Sequence, residues 1–121
     1  MASLTLRILG CGSSGGVPRV GYGWGACDPA DPRNRRRRCS LLVERRRGDG
    51  DAKGAGEATT VLVDTSPDLR EQMLASWTKH VDAVLYTHDH ADQTHGIDDM
   101  RTFAARARKR IPAWMDAATH A

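Results

Sequence analysis

The residues best suited to chemistry lie in one short stretch of this sequence, between Tyr86 and Gly96. Residues 88–95 contain three histidines and two aspartates, namely His88, Asp89, His90, Asp92 and His95. Neutral imidazole nitrogens suit zinc, manganese and iron, and carboxylates add charge and a second ligand type. The stretch directly follows an apolar run over 81–85 that is typical of a strand. The sequence therefore predicts a metal site at the C-terminal end of this strand, where open α/β sheets hold their ligands.

The spacing of the histidines supports this prediction. His88 and His90 are two residues apart, and extended backbone points side chains with that spacing to the same side, so both can bind one ion. Asp92 lies two residues further on and can reach the same ion or one beside it. The alternative is a polar turn with solvated histidines, which is the usual interpretation of a single histidine. The density of the cluster favours the metal site.

The segment Thr87–Gln93 resembles the His-x-His-x-Asp-His signature of the metallo-β-lactamase superfamily. The resemblance implies that His88 and His90 are ligands of a first metal ion. It implies that Asp92 is a ligand of a second ion and a catalytic residue, because it holds the attacking water. A divalent metal cofactor is expected, either zinc or manganese, as one or two ions.

The match departs from the signature at its last position. Gln93 stands where the signature has histidine, and its neutral amide oxygen is a weaker donor to zinc than imidazole. His95 follows shortly after but matches no ligand position of the signature. Gln93 and His95 are therefore further candidates around the second ion.

Asp64 ends another apolar segment, over 59–63. An aspartate at this place braces the metal loop in the superfamily, so the resemblance implies that Asp64 orients the ligating histidines through hydrogen bonds. Composition alone is equally compatible with an ordinary turn aspartate.

The opening of the chain narrows the resemblance to one branch. The segments Leu9–Pro18 and Trp24–Pro29 resemble the start of the phosphoribosyl cyclic phosphodiesterases. The resemblance implies a small phosphorylated substrate, such as a cyclic phosphate on a sugar or a nucleotide-like compound. Better-known members hold a structural zinc with a cysteine cluster in this loop. This chain has only Cys27 there, so that zinc is not expected.

Composition limits which other functional classes and cellular locations are compatible with the sequence. The 121 residues carry a formal charge of +3 and contain no apolar run near the ~20 residues that span a membrane, so no membrane association is expected. The N-terminus lacks the charged and apolar regions of a secretory signal. Three cysteines without a CxxC pair fit a reducing compartment, so a cytoplasmic location is expected.

The strongest run of charge is basic. It covers 33–38, with five arginines in six residues, and three more arginines follow at 45–47. Such runs can bind phosphates, including nucleic-acid backbones, although a solvated face is the usual explanation. No aromatic residue is interleaved with the run, which weakens a single-strand-binding interpretation. Nucleic acid is therefore the less favoured partner.

Apolar patterns predict the elements that position these residues. Strands are predicted at 4–9, 39–44, 59–64, 81–87 and 111–115, with the second and third forming a hairpin. Helices are predicted from Ser66 to Trp77, over 96–107 and from Asp116 onward. A long ordered loop is expected over 17–38 and a flexible connection over 48–58. Core positions are expected on both longer helices, namely Leu69, Met73, Leu74, Trp77, Ile97, Met100 and Phe103.

This pattern predicts an α/β fold, the N-terminal half of a four-layer αββα metallo-β-lactamase sandwich. Residues 1–121 would form one truncated domain, with one sheet face lacking its partner and homodimerisation as one way to cover it. The predicted function is metal-dependent hydrolysis, specifically phosphodiester cleavage by a metal-bound hydroxide. The alternatives are a catalytically incomplete metal-binding fragment, inactive by itself, and a basic nucleic-acid-binding module.

Overall fold

The strands of this protein form one mixed sheet. The computed structural model describes residues 2–48 and 58–121. In these residues the strands are β1 (Ser3–Gly10), β2 (Ser40–Arg46), β3 (Ala58–Val63), β4 (Ala83–Leu85) and β5 (Ala113–Trp114). Their spatial order follows the chain, β1-β2-β3-β4-β5. The first three pair antiparallel and the last three parallel, which confirms the predicted hairpin. The predicted connection over 48–58 lies largely outside the described residues.

The helices are short. They are α1 (Leu69–Ala75), α2 (Ala91–Thr94), α3 (Met100–Ala107) and α4 (Ala117–His120), with 3-10 turns at Pro32–Asn34 and His95–Asp99. The continuous helix predicted over 96–107 is therefore wrong in its first part, where the second 3-10 turn leaves Ile97 57% exposed. Met100 is buried and Phe103 packs against the core, as predicted.

The first helix also differs from its prediction. It begins at Leu69 rather than Ser66, and Asp68 holds the N-cap position. It ends at Ala75, and Trp77 follows in the left-handed region with a φ of 56°. Leu69 and Met73 are buried as predicted, but Trp77 is exposed because the helical periodicity stops before it.

Leu74 was also expected in the core, yet it is 62% exposed. The inner face of α1 takes the spacing i, i+3, i+4, and its middle position is the fully buried Gln72. The Gln72 amide donates to the Arg38 carbonyl, and its oxygen accepts from the Ser66 hydroxyl. Its polar atoms therefore have partners inside the core.

The two faces of the sheet differ sharply. Leu42, Leu62 and Val84 are register partners on one face, and all three are buried under the helices. The other face carries Leu6 and Ile8 of β1, which are 61% and 71% exposed. In the described residues no element covers this apolar face. The predicted α/β fold is confirmed.

No helix in the part of the chain that the structure describes is long and apolar enough to cross a membrane.

Candidate metal centre

The ends of β3 and β4 bring the candidate site together. These strands are parallel, so Asp64 and the segment 86–90 emerge at the same edge of the sheet. The Asp64 amide donates to the Leu85 carbonyl at 2.8 Å, which continues the strand pairing by one residue. Asp64 then turns with a φ of 62°, a conformation that aspartate tolerates better than most residues. This turn points its carboxylate at the residue preceding His88.

Asp64 makes a two-point contact with Thr87. One carboxylate oxygen accepts from the Thr87 amide at 2.8 Å, and the other accepts from the Thr87 hydroxyl at 2.7 Å. The Asp64 carbonyl is held from behind by the Ser40 hydroxyl at 2.9 Å. Asp64 is buried, so these bonds replace the water that its carboxylate loses on folding. Asp64 therefore braces the start of the histidine segment through Thr87.

The Thr87 hydroxyl selects the tautomer of His88. It lies 2.8 Å from His88 Nδ1, and its single proton is already donated to the Asp64 carboxylate. Nδ1 must therefore carry a proton and donate it to the Thr87 oxygen. In a neutral imidazole this leaves Nε2 unprotonated, with a lone pair available to a ligand. The chain Asp64–Thr87–His88 thus prepares Nε2 as a donor, a typical arrangement behind metal-binding histidines.

His90 completes a pair of imidazoles. The ring centroids of His88 and His90 are 4.5 Å apart, with the planes at 75°. His88 is half-buried and His90 is exposed, and His90 also occupies the N-cap position of α2. The two histidines that the sequence assigns to one ion therefore lie in contact.

Asp92 and Gln93 lie on α2, directly after this pair. The Gln93 amide nitrogen donates to the Asp92 carboxylate at 3.0 Å. The amide oxygen of Gln93 is buried and accepts no hydrogen bond from the described residues. A buried oxygen without a donor is costly, and a cation or a bound water would satisfy it. Two imidazoles, followed in sequence by a carboxylate and an amide oxygen, are groups of the kinds that bind divalent ions.

The predicted ligands do not form a complete site. Among residues 2–48 and 58–121, no three histidine, cysteine or carboxylate side chains are grouped closely enough to hold one ion. Asp92 is therefore not gathered with the two histidines into a three-ligand set. His95 is exposed and lines a different concavity, with Tyr86 and Met115. The metal and catalytic roles of these residues stay predictions.

Sequence reasoning did not identify two buried hydroxyl groups behind the site. The Thr65 hydroxyl shares its proton between the Gln93 and Thr94 carbonyl oxygens, each 3.2 Å away. It also lies 3.0 Å from the Tyr86 hydroxyl. The Thr65 amide also donates to the Gln93 carbonyl, at 2.8 Å. Thr65 therefore ties α2 to the end of β3. The signal in the sequence is a threonine directly after Asp64.

Burial favours the neutral form of the Tyr86 phenol. Removal of its phenol from water raises the pKa above 10.0, the hydrogen bond to Thr65 opposes this shift, and the charge of Asp64 adds to it. Tyr86 is therefore a neutral hydrogen-bonding group at physiological pH.

The glycine-rich loop after β1 has a packing role. A Cβ atom at Gly10 would overlap the carbonyl oxygen of Arg38, so only glycine allows the two backbones to approach. Gly12 pairs with Arg38 in the same place. Cys11, Cys27 and Cys39 are all exposed and unpaired, and no thiolate cluster forms among the described residues.

Comparisons with known proteins agree with this architecture. The family model of the beta-lactamase superfamily domain matches residues 59–121, just over half of the chain. An octanoyltransferase of Porphyromonas gingivalis (strain ATCC BAA-308 / W83) is 41% identical over 95 residues, which are 78% of this chain but 17% of that protein. Coenzyme PQQ synthesis protein B of Rhodopseudomonas palustris (strain TIE-1) is 30% identical over 110 residues, 81% of this chain and 32% of that protein.

Solved structures show the same similarity. A diphosphatase from the PhnP family superposes with a TM-score of 0.79 at 38% identity, covering 99% of this chain and 44% of that one. Zn²⁺-bound PqqB from Methylobacterium extorquens superposes with a TM-score of 0.54 at 22% identity, covering 97% and 46%, and supports the fold alone. The chain thus spans less than half the length of these relatives. Because the family model covers its second half and the fold agrees throughout, this chain belongs to the metallo-β-lactamase superfamily.

Proposed function

We propose that this protein is a metal-dependent hydrolase that cleaves a phosphodiester or a related phosphoric ester of a small substrate. The observation that carries the proposal is the imidazole pair, with His88 Nε2 freed by the Asp64–Thr87 chain of hydrogen bonds. A similar solved protein is described as a diphosphatase, which supports a phosphorylated substrate. A cyclic phosphate on a sugar, or a nucleotide-like compound, fits this class.

Each residue has a distinct part in the proposed reaction. His88 and His90 would hold a divalent ion, zinc or manganese. When bound, such an ion lowers the pKa of a water and stabilises charge on phosphoryl oxygens. Asp92 would accept a hydrogen bond from the attacking water and orient it toward phosphorus. Gln93 holds the Asp92 carboxylate through its amide nitrogen.

The alternative is that this chain binds a metal weakly and catalyses nothing by itself. The absence of a three-ligand group among the described residues favours it. A homodimer would be one way to supply further ligands. For location, we infer a cytoplasmic protein, because its three cysteines are unpaired and exposed.

Elemental analysis combined with hydrolysis of bis(p-nitrophenyl) phosphate tests the proposal. We expect one or two zinc or manganese ions per chain, and hydrolysis that chelation abolishes. His88→Ala should remove both, whereas His120→Ala, which changes an exposed histidine on α4, should preserve both. Stoichiometric metal without hydrolysis would favour the binding-only alternative. Protein without metal and without activity would overturn both the proposed hydrolase function and the binding-only alternative.

A further inference from the structure

The long loop between β1 and β2 carries a surface that the proposed hydrolysis does not use. We call it the Arg–aromatic surface and define it by Arg19, Tyr22, Trp24, Arg35 and Arg36. In sequence the aromatic residues are about ten positions from the arginine run. In the folded loop they lie against arginines. The sequence has no aromatic residue within the basic run, but the folded loop places Trp24 against Arg35 of that run.

Two cation–π contacts build this surface. The guanidinium carbon of Arg19 lies 5.2 Å from the ring centroid of Tyr22. That of Arg35 lies 5.5 Å from the ring centroid of Trp24. Tyr22 is nevertheless 80% exposed, so its ring remains largely open to a flat partner. Each pair offers an aromatic surface beside a positive charge.

The backbone around the rings is open. Gly21, Gly23 and Gly25 alternate with Tyr22 and Trp24, and their φ angles of +80°, +69° and +59° favour glycine. A Cβ atom at any of the three would meet no heavy atom within 4 Å. The backbone next to Tyr22 and Trp24 is therefore not crowded at these three positions, although Trp24 itself is half-buried.

The arginines of this surface form no close ion pairs among the described residues. Arg33 forms an ion pair with Asp31 at 2.8 Å, and Arg38 with Asp68 at 2.7 Å. Within the described ranges, by contrast, no carboxylate lies within 4.0 Å of the guanidinium groups of Arg19, Arg35 or Arg36. All three of these arginines are exposed. Their charges are available to an anionic partner.

Hydrogen bonds hold the surface in place before any partner binds. Val17 and Arg36 exchange two backbone bonds of 2.9 Å. Arg19 and Gly23 exchange bonds of 2.8 and 2.7 Å, which close the turn that carries Tyr22. A surface fixed in this way loses little conformational entropy when it binds.

From these observations we propose that the Arg–aromatic surface binds single-stranded nucleic acid. Bases stack on Tyr22 and Trp24, and phosphates contact the three unpaired arginines. Alternation of aromatic and cationic groups is what single-strand binding requires, because every base has a stacking face and every linkage a charge. The loop starts and ends at the same edge of the sheet as the histidine segment, since β1 ends and β2 begins there. Binding at this surface does not depend on the proposed hydrolysis.

Fluorescence anisotropy with a labelled oligothymidylate, in the presence of a chelator, tests the inference without catalysis. The Tyr22→Ala/Trp24→Ala variant should bind at least about tenfold more weakly, because each stacked base contributes to affinity. Its slope of log K against log salt should not change, since no charge is removed. Trp24→Phe should retain most of the affinity.

Removal of two arginines should instead change the salt dependence of binding. Arg35→Ala/Arg36→Ala should reduce the magnitude of the salt slope by about 1.4, from two lost phosphate contacts at about 0.7 each. The matched control Lys109→Ala/Arg110→Ala removes two charges near β5 and should leave the slope unchanged. Absence of binding at low salt would overturn the proposal. Equal competition by inorganic polyphosphate, with no effect of the ring variant, would also overturn it and assign the surface to polyanions in general.

Discussion

At the scale of single residues, the site depends on hydroxyl groups as much as on histidines. The Thr87 hydroxyl donates to the buried Asp64 carboxylate and accepts from His88 Nδ1, so it connects these two side chains. The Thr65 hydroxyl anchors the opposite end of the segment, at Gln93 and Thr94. These two side chains fix the backbone between them, so the orientation of the imidazoles is set mainly by residues that would not touch a metal.

Thr87→Val should separate orientation from ligation, because valine keeps the shape of threonine and removes its hydroxyl. Asp64 Oδ2 then lacks its donor, which costs about 1–3 kcal/mol of stability. The His88 tautomer is no longer fixed, so we expect zinc affinity to fall about 10–100-fold. Isothermal titration with zinc, alongside denaturant unfolding, measures both effects.

Thr102→Val is the matched control for this variant. The Thr102 hydroxyl is exposed and donates only to the Asp99 carbonyl, on the first turn of α3. Its replacement should leave zinc affinity unchanged. Equal zinc affinity in Thr87→Val and in the unmodified protein would show that the hydrogen-bonded chain does not prepare His88.

The raised pKa of Tyr86 predicts a loss of stability at alkaline pH. Burial is its main cause, so the neutral phenol is favoured by folding. The stabilisation is complete below the unfolded pKa of about 10 and is lost as pH rises through the higher folded pKa. We expect the free energy of unfolding to fall above pH ~10 more steeply in the unmodified protein than in Tyr86→Phe. Parallel pH profiles for the two proteins would contradict this expectation.

At the scale of elements, strands were easier to predict than helix ends. Short apolar segments bounded by glycine and charge located β1, β2 and β3 to within about two residues. The helix predicted over 96–107 breaks at its start, where a contact with a distant segment overrides local preference. The pairing of Trp24 with Arg35 was also missed, since it depends on how the loop folds back on itself.

Gly96 makes the contact that interrupts the helix predicted over 96–107. A Cβ atom there would overlap the backbone carbonyl of Ser66, and the Gly96 amide donates to the Thr65 carbonyl at 3.0 Å. Gly96→Ala must push the second 3-10 turn away from the end of β3. We expect a loss of about 1–3 kcal/mol, typical of an overpacked contact, measured as a lower urea midpoint.

Gly15→Ala provides the comparison for Gly96→Ala. The three atoms nearest to its Cβ would be side-chain atoms of Arg19, at 2.7–2.9 Å, and this flexible side chain can move aside. We expect a change within about 0.5 kcal/mol, as for most surface substitutions. Similar losses for the two variants would mean that the Ser66 contact is not what constrains Gly96.

At the scale of the whole molecule, the two faces of the sheet have different roles. The helices α1 and α3 cover the face that carries Leu42 and Leu62, and the core is complete there. The opposite face is apolar as well, and its β1 residues remain more than half exposed. A layer of residues that is apolar yet open to water is unusual for a protein that works as a monomer. The prediction of a single domain over 1–121 stays a prediction.

The open face leads to a prediction about association. Leu6 and Ile8 both point away from the helices. Threonine is β-branched and favours strands, so it can replace both residues while preserving β1. The 121-residue chain should self-associate in sedimentation velocity and enhance the fluorescence of an apolar dye. Leu6→Thr/Ile8→Thr should reduce both signals while preserving the circular dichroism spectrum.

Leu42→Thr, on the fully buried face, should instead lower stability by about 2–5 kcal/mol, as large-to-small core changes do. A chain that stays monomeric and does not bind the dye would mean that the β1 face is tolerated in water, and that this surface does not drive association.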